Sequence, residues 1–179
     1  FKTNQGTDAH LKIIRNISCI RPYRSVIVRG TVSRVPRTVI GRHVIFSIND
    51  KSGEIDCAFY EPTGKIRNIV RKFIHGDYVE VYGGVRPRSM RRPMTINLEK
   101  IRVLELNKKI VYRNPVCPDC GKHMKSMGRE KGFVCKRCKI RLTDSRKVAV
   151  EVPRDLKADL YIPPPRAHRH LTKPLCRYG

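Results

Sequence analysis

Four cysteines in the stretch CPDCGKHMKSMGREKGFVCKRC constrain this chain more than any other feature. Cys117, Cys120, Cys135 and Cys138 follow the spacing C-x2-C-x14-C-x2-C. Four thiolates so spaced reach one tetrahedral Zn²⁺ from two knuckles that face each other across a hairpin. Gly121 suits the tight left-handed turn after the second cysteine. Lys139 stands in the matching place of the second knuckle. Phe133, Met124 and Met127 are expected to cover the small apolar side. Four Cys ligands close the coordination sphere, which argues for structural zinc rather than hydrolysis. The spacing alone also admits an iron–sulfur centre or a redox pair, and His123 as a competing ligand. Cys19, Cys57 and Cys176 are isolated. An odd count of seven cysteines, with no secretion signal ahead of them, fits a reducing, cytoplasmic setting and not a disulfide framework.

Upstream, the hydrophobic period is two. In RSVIVRGTVSRV, Val26, Val28, Gly30 and Val32 share one face of an expected strand. A Pro- and Gly-containing connection, SRVPRTVIGR, follows. Val44, Phe46 and Ile48 alternate in the next strand, and Ile55, Cys57 and Phe59 in the one after the turn Asp50–Gly53. Cys57 reads as a buried apolar filler. The period then changes: Ile66, Ile69, Val70 and Phe73 fall on one face of a helix about three turns long, with Thr63 as N-cap and Gly76 beyond its end. Two more strands, YVEVYGGVRP and MTINLEKIRVLEL, close the series. The order β-β-β-α-β-β is that of a five-stranded OB-fold barrel with one helix. The expected plan is therefore mainly β: 1–20 a linker from a missing upstream domain, 21–108 an OB-fold nucleic-acid-binding domain, 113–143 a small four-cysteine zinc ribbon, and 144–179 a basic Pro-containing C-terminal extension.

Charge points to the partner. Lys and Arg total 39 against 15 acids, a net +24. An excess of that size costs self-repulsion and makes sense beside a polyanion. No run of 18 apolar residues and no amphipathic basic helix is present, which places nucleic acid ahead of membrane. From Arg113 to Lys147 there are eleven basic residues and three acids. Lys122, Lys125, Arg129, Lys131, Lys136, Arg137, Lys139 and Arg141 surround the metal and project into solvent. In the barrel, Arg34, Arg37 and Arg42 sit in the first loop, and Arg86, Arg88, Arg91 and Arg92 in the loop before the last strand. These loops flank the face on which OB-folds bind oligonucleotides, and the guanidinium fork suits phosphate. Arg29, His43, Tyr60, Tyr78 and Tyr82 fall on the outward parity, with Tyr60 and Tyr82 as candidates for stacking on unpaired bases.

No phosphate-binding loop of the form G-x-x-x-x-G-K-[ST] is present, and no G-x-G-x-x-G follows a strand. The carboxylates are scattered, and His10, His43, His75, His123, His168 and His170 sit in unrelated contexts. The residues present argue for binding, not chemistry.

TNQGTDAH, HVIFSINDKSGEIDCAFYEP, the ribbon CPDCGKHMKSMG…GFVCKRC and RAHRHLTKPL occur in one order. Together they resemble the archaeal tRNA agmatidine synthetase family, TiaS, over essentially the whole chain. The resemblance implies an ATP-dependent ligase that joins agmatine to the wobble cytidine of the isoleucine tRNA with anticodon CAU. It implies longer proteins, in which a kinase-like domain and a ferredoxin-like domain precede the OB-fold and ribbon. TNQGTDAH would then be the junction leaving the ferredoxin-like domain, and the N-terminal catalytic domains of the same protein would be partners beside tRNA. ATP and agmatine would be substrates of that parent, with no catalytic position in this chain. The four cysteines match the family's zinc positions. The alternative is a general OB/zinc-ribbon protein that binds single-stranded nucleic acid and has no enzymatic parent.

Overall fold

The computed structural model describes residues 5–60, 63–90, 92–143, 146–169 and 171–178. Arg91 lies outside the described residues, as do Thr3, Asn4, Glu61, Pro62 and His170 of the quoted stretches. Strands β1 (Lys12–Ile14), β2 (Ser25–Val39), β3 (His43–Asp50) and β4 (Gly53–Phe59) are followed by helix α1 (Ile66–Val70), β5 (Tyr78–Arg86) and β6 (Thr95–Glu105). Then come β7 (Ile110–Arg113), β8 (Lys125–Ser126), β9 (Phe133–Val134), β10 (Arg141–Leu142), β11 (Val148–Glu151) and β12 (Leu160–Tyr161). Contacts divide the chain into two compact units, Phe1–Asn107 with Asp155–Gly179, and Lys108–Arg154.

In the first unit, β2 pairs with β3, β3 with β4, β4 with β6 in parallel, and β5 with both β6 and β2. This circuit closes a five-stranded barrel. Val26, Val28, Val32, Val44, Phe46, Ile48, Ile55, Cys57, Phe59, Val79 and Val81 all point inward and are buried, as the alternation requires. Burial pushes the Cys57 thiol well above its ordinary pKa, as a filler demands. Gly30 sits in the middle of β2, where an added Cβ would stand 3.0 Å from the Asn49 carbonyl oxygen. In β6 the register against β5 slips between the pairs Tyr82–Lys100 and Gly83–Leu98, leaving Glu99 as the extra residue. A bulge of this kind resets the alternation. Ile96, Leu98, Ile101 and Val103 therefore face the core, while Lys100 turns to the outside of the sheet with Tyr82.

Four expectations change. The helix is a five-residue segment, not three turns. Thr63 does not cap it: its hydroxyl donates to the Tyr60 carbonyl at 2.7 Å, and Lys65 holds the N-cap position. Ile66, Val70 and Phe73 still reach the core, with the Phe73 ring edge-on to Phe46 at 5.6 Å. The connection after Val32 is no loop, because β2 runs through Pro36 to Val39 with register shifts on either side of Arg34. Residues 5–20, expected as a linker, pack on the barrel: β1 pairs in parallel with β2, and Leu11, Ile17 and Ile20 are buried. The hairpin turn helps to fix them, since the Asp50 carboxylate accepts from the amides of Ile17 (2.8 Å), Ser52 (2.6 Å) and Gly53 (3.0 Å).

The expected extension 144–179 is divided between the units. β11 pairs with β7 in the second unit. From Asp155 onward the chain returns to the barrel, where β12 pairs with β6 and Leu156 enters the core. Two short 3₁₀ turns, Pro165–Ala167 and Leu175–Arg177, follow. The prolines at 163–165 end regular pairing but do not prevent docking: Leu160 packs with Leu11 and Tyr82, with Tyr178 against them. Strand parity identifies the apolar strand faces, but not a tail of mixed polarity that packs by a few apolar side chains and by hydrogen bonds.

Adjacent glycines test the barrel seam. A Cβ on Gly83 would lie 2.1 Å from the Asn97 carbonyl oxygen, whereas one on Gly84 would come no nearer than 3.4 Å to the Arg169 side chain. Gly83→Ala is expected to cost roughly 1–3 kcal/mol in urea unfolding, as overpacked cores do. Gly84→Ala is expected to fall within about 0.5 kcal/mol of the parent.

Candidate metal centre and nucleic-acid interface

The second unit is built around its cysteines. β9 pairs antiparallel with both β8 and β10, giving a three-stranded sheet of two-residue strands. Such short pairing does not stand on its own. The four cysteine sulfurs lie within 4.8 Å of one another, with Cys120 Sγ and Cys135 Sγ 3.6 Å apart. Tetrahedral Zn–S bonds of about 2.3 Å place sulfurs about 3.8 Å apart, so the set fits a zinc ion. Among the described residues it is the one His/Cys/Asp/Glu group with metal-ligand geometry.

The knuckles repeat one another in detail. The Gly121 amide donates to the Cys117 carbonyl and the Lys139 amide to the Cys135 carbonyl, each at 2.9 Å. The Cys117 amide donates to the Lys122 carbonyl at 2.9 Å, and the Cys135 amide to the Ile140 carbonyl at 2.8 Å. Gly121 has φ +65° and Lys139 φ +63°. The second knuckle therefore holds a non-glycine residue in the left-handed region, at a conformational cost. The Cys138 amide points at Cys135 Sγ, 3.4 Å away, and holds that thiol down at about 6. An amide aimed at sulfur favours the thiolate that binds metal. Met124 and Phe133 are buried beside Cys117 and Cys135, backed by Ile140 and Leu142. Met127 is half-buried and stays outside that cluster. His123 is no ligand; its Nδ1 lies 3.0 Å from the Asn114 carbonyl oxygen.

Lys122, Lys125, Arg129, Lys131, Lys136, Arg137, Lys139 and Arg141 are all exposed. Lys125 and Lys136 stand close enough that the second ammonium lowers the pKa of the first. Like charges held together on a small domain favour an anion between them.

On the barrel, the structure gathers arginines from two segments. Arg34 on β2 joins Arg88 and Arg92, on the connection between β5 and β6, along a groove of about 740 Å³. Met90, Met94 and Ile55 supply its apolar lining. Two carboxylates also line it, and both have partners: Glu54 pairs with Arg34 at 2.8 Å, and Asp56 accepts from the Ser47 hydroxyl at 2.6 Å. Met90 is fully exposed at the groove's rim. Arg37 is exposed on β2, Arg86 is half-buried on β5, and Arg42 lies in the turn before β3 with φ +60°. Tyr60 is half-buried, with His43 edge-on to its ring at 4.8 Å.

Two expected surface residues are otherwise engaged. Tyr82 is 6% exposed, and its hydroxyl donates to Glu80. Burial, and then Glu80, push its phenol up to about 12. It has no free face for a base, because the returning tail covers it. Arg29 is exposed but pairs with Glu80 at 2.7 Å. The tail's cover was hidden at the sequence level because outward parity does not say whether a sheet face meets solvent or another segment.

A closed OB barrel carrying an arginine groove, joined to a four-cysteine ribbon with a basic surface, defines a nucleic-acid-binding class of protein. Residues 26–104 match the model of the OB-fold nucleic acid binding domain. Residues 114–156 match that of the TiaS C-terminal zinc ribbon domain. The chain is 48% identical over 175 residues to the isoleucine-tRNA 2-agmatinylcytidine synthetase TiaS of Methanocaldococcus jannaschii, covering 98% of this chain and 40% of that relative. It is 47% identical over 179 residues to the protein of the same name from Staphylothermus marinus, covering 100% and 39%. A crystal structure of apo TiaS superposes with a TM-score of 0.81 at 41% identity, over 98% of this chain and 40% of that one. A crystal structure of TiaS in complex with its isoleucine tRNA and ATP gives 0.80 at 40% identity, over 98% and 39%. The chain belongs to the TiaS family, and it spans about 40% of the length of these relatives.

Two measurements test the metal centre. Metal analysis is expected to find one zinc per chain, with Cys138→Ser abolishing it and leaving the barrel's thermal transition in place. Lys139→Gly is expected to raise the ribbon's resistance to chelator-driven unfolding, by up to about 1 kcal/mol, by relieving the left-handed lysine.

Proposed function

We propose that this chain is the tRNA-binding portion of an ATP-dependent ligase that joins agmatine to the wobble cytidine of the isoleucine tRNA with anticodon CAU. The observation that carries the reading is identity of 48% across 98% of the chain to a protein of that activity by name. The likeness to TiaS in complex with its isoleucine tRNA and ATP supports it. ATP and agmatine are substrates of the longer protein, whose other domains are partners of this part. The setting is cytoplasmic, where tRNA is modified and the metal-binding thiols stay reduced. No helix of the described residues is long and apolar enough to cross a membrane.

Physical features supply the means. A net charge of +24 draws in a polyanion, and releasing its condensed counterions drives binding. Arg34, Arg88 and Arg92 offer planar forks to phosphates along the barrel groove, with Arg37 and Arg86 on the neighbouring strands. Tyr60, half-buried beside His43, is the remaining candidate to stack on an unpaired base. On the ribbon, Lys122, Lys125, Arg129, Lys131, Lys136 and Arg137 meet the backbone of the same RNA. Anticodon-loop bases are unpaired, so they can be splayed out and read on their edges. Presentation of the anticodon loop then brings the wobble base to the domains that do the chemistry.

The test is a binding titration with the CAU isoleucine tRNA, the elongator methionine tRNA and a single-stranded RNA of equal length, at two salt concentrations. Preference for the isoleucine tRNA that survives the higher salt is expected. Equal binding to all three that collapses with salt would overturn recognition by this part, leaving it an electrostatic grip with discrimination in the other domains of the longer protein. Arg88→Ala and Arg92→Ala are each expected to flatten the salt dependence by roughly 0.7–0.9 in the log–log slope, one phosphate contact apiece.

A further inference from the structure

Asp8 and Tyr178 lie 170 residues apart in sequence and meet over one lysine. Lys100 is 0% exposed at its side chain, on the outer face of β6. A buried ammonium is stable only when paired and hydrogen-bonded. Its Nζ donates to Asp8 and, at 2.6 Å, to the Tyr178 hydroxyl, which itself donates to Asp8 at 2.6 Å. The rings of Tyr82 and Tyr178 flank it at 5.3 and 5.2 Å. Asp8 completes its shell through the Lys173 amide at 2.8 Å, and its own amide donates to the Leu171 carbonyl at 2.9 Å. Burial raises the Asp8 carboxyl, but Lys100 and Tyr178 outweigh it and hold the pKa below its ordinary value.

Further contacts join the same two segments. Arg177 donates to the carbonyls of Gln5 and Gly6, each at 3.2 Å. Gly6 has φ +64°, and a Cβ there would stand 2.8 Å from the Arg177 guanidinium. Glu99, the bulged residue, binds His10 at 2.9 Å and Arg169 at 3.1 Å. Both segments are thus tied to the barrel and to each other by these polar contacts and by the small apolar cluster of Leu11, Tyr82 and Tyr178, separate from the barrel's own apolar core.

We propose that residues 163–169 and 171–178 form a strap that sets the path of residues 5–11, with the Asp8–Lys100–Tyr178 contact as its clasp, so that the two segments order and loosen together while the barrel stays closed. The reasoning is energetic. Breaking one member of a buried charge-and-hydroxyl triad leaves the others unsatisfied, which is costlier than losing a surface contact. Release is therefore cooperative across the clasp. The barrel's strand pairing does not pass through it. The strap stands whether or not the chain binds RNA.

Hydrogen exchange of the intact, zinc-loaded chain tests this. Tyr178→Phe keeps the ring and removes the shared hydroxyl. It is expected to speed exchange of the Asp8 and Lys173 amides together, by about tenfold, while the Val81 amide within the barrel is unchanged. Coupling is reciprocal, so Asp8→Asn is expected to speed exchange of the Thr172 and Tyr178 amides by a similar factor. The double variant is expected to add little to either. Faster exchange confined to residues 175–178, with Asp8 unchanged, would overturn the proposal. So would a matching rise at Val81, which would make the clasp part of the barrel's own cooperative core. If Asp8→Asn fails to fold, Tyr178→Phe decides alone.

Discussion

The pairing of β5 with β2 on one edge and β6 on the other closes the sheet, and the remaining features of the first unit are arranged around that closure. A closed barrel leaves no long free edge and hides one face of every strand. The cost is geometric: five strands must curve tightly enough to meet. Register shifts on both sides of Arg34 in β2 and at Glu99 in β6 provide the bends. Each shift also re-aims side chains. The first carries Arg34 into line with Arg88 and Arg92. The second turns Lys100 out of the core and Ile101 into it.

The two units are held by different physics. The barrel buries a large apolar cluster in which Phe46, Phe59 and the strand valines dominate. The ribbon buries Met124 and Phe133 with its cysteines and has little else. A domain of that size does not fold on apolar burial alone; the free energy of four metal–thiolate bonds replaces a core. This leaves its surface free to carry a dense set of basic side chains around the cysteines, from Lys122 to Arg141. Burying a large core calls for apolar residues at alternate positions, and the ribbon need not provide them.

Acids are scarce in this chain, and several are used internally. Asp8, Glu80 and Glu99 gather on the outer face of β5 and β6, against Lys100, Arg29, Arg169 and His10. Asp50 braces the hairpin turn against Ile17. The negative charge goes into holding the polypeptide's ends and turns. The barrel groove keeps its positive character, since Glu54 and Asp56 have partners of their own, and on the ribbon the basic side chains outnumber the exposed Asp119 and Glu130.

Much of this was legible in the sequence. Alternation of Val44–Phe46–Ile48 and Ile55–Cys57–Phe59 marked the strands, because a half-buried strand must alternate. The spacing of Cys117, Cys120, Cys135 and Cys138 marked the metal centre, because tetrahedral ligation by two turns admits few spacings. The order of strands and helix marked the barrel. What the sequence could not decide was which outward faces meet water. Tyr82 has the parity of a surface residue; Lys100 has the polarity of one but the parity of the core residues Ile96 and Leu98, and the bulge at Glu99 turns it outward. They are buried because the tail from Asp155 returns to cover them, and that docking combines the packing of Leu156 and Leu160 with polar contacts between residues as distant as Asp8 and Tyr178. Local periodicity carries no record of such contacts. Sequence patterning settled which residues form the barrel and the metal site; tertiary packing alone settled the strap and the arginine groove, since both are made by segments far apart in sequence that the folded barrel brings side by side.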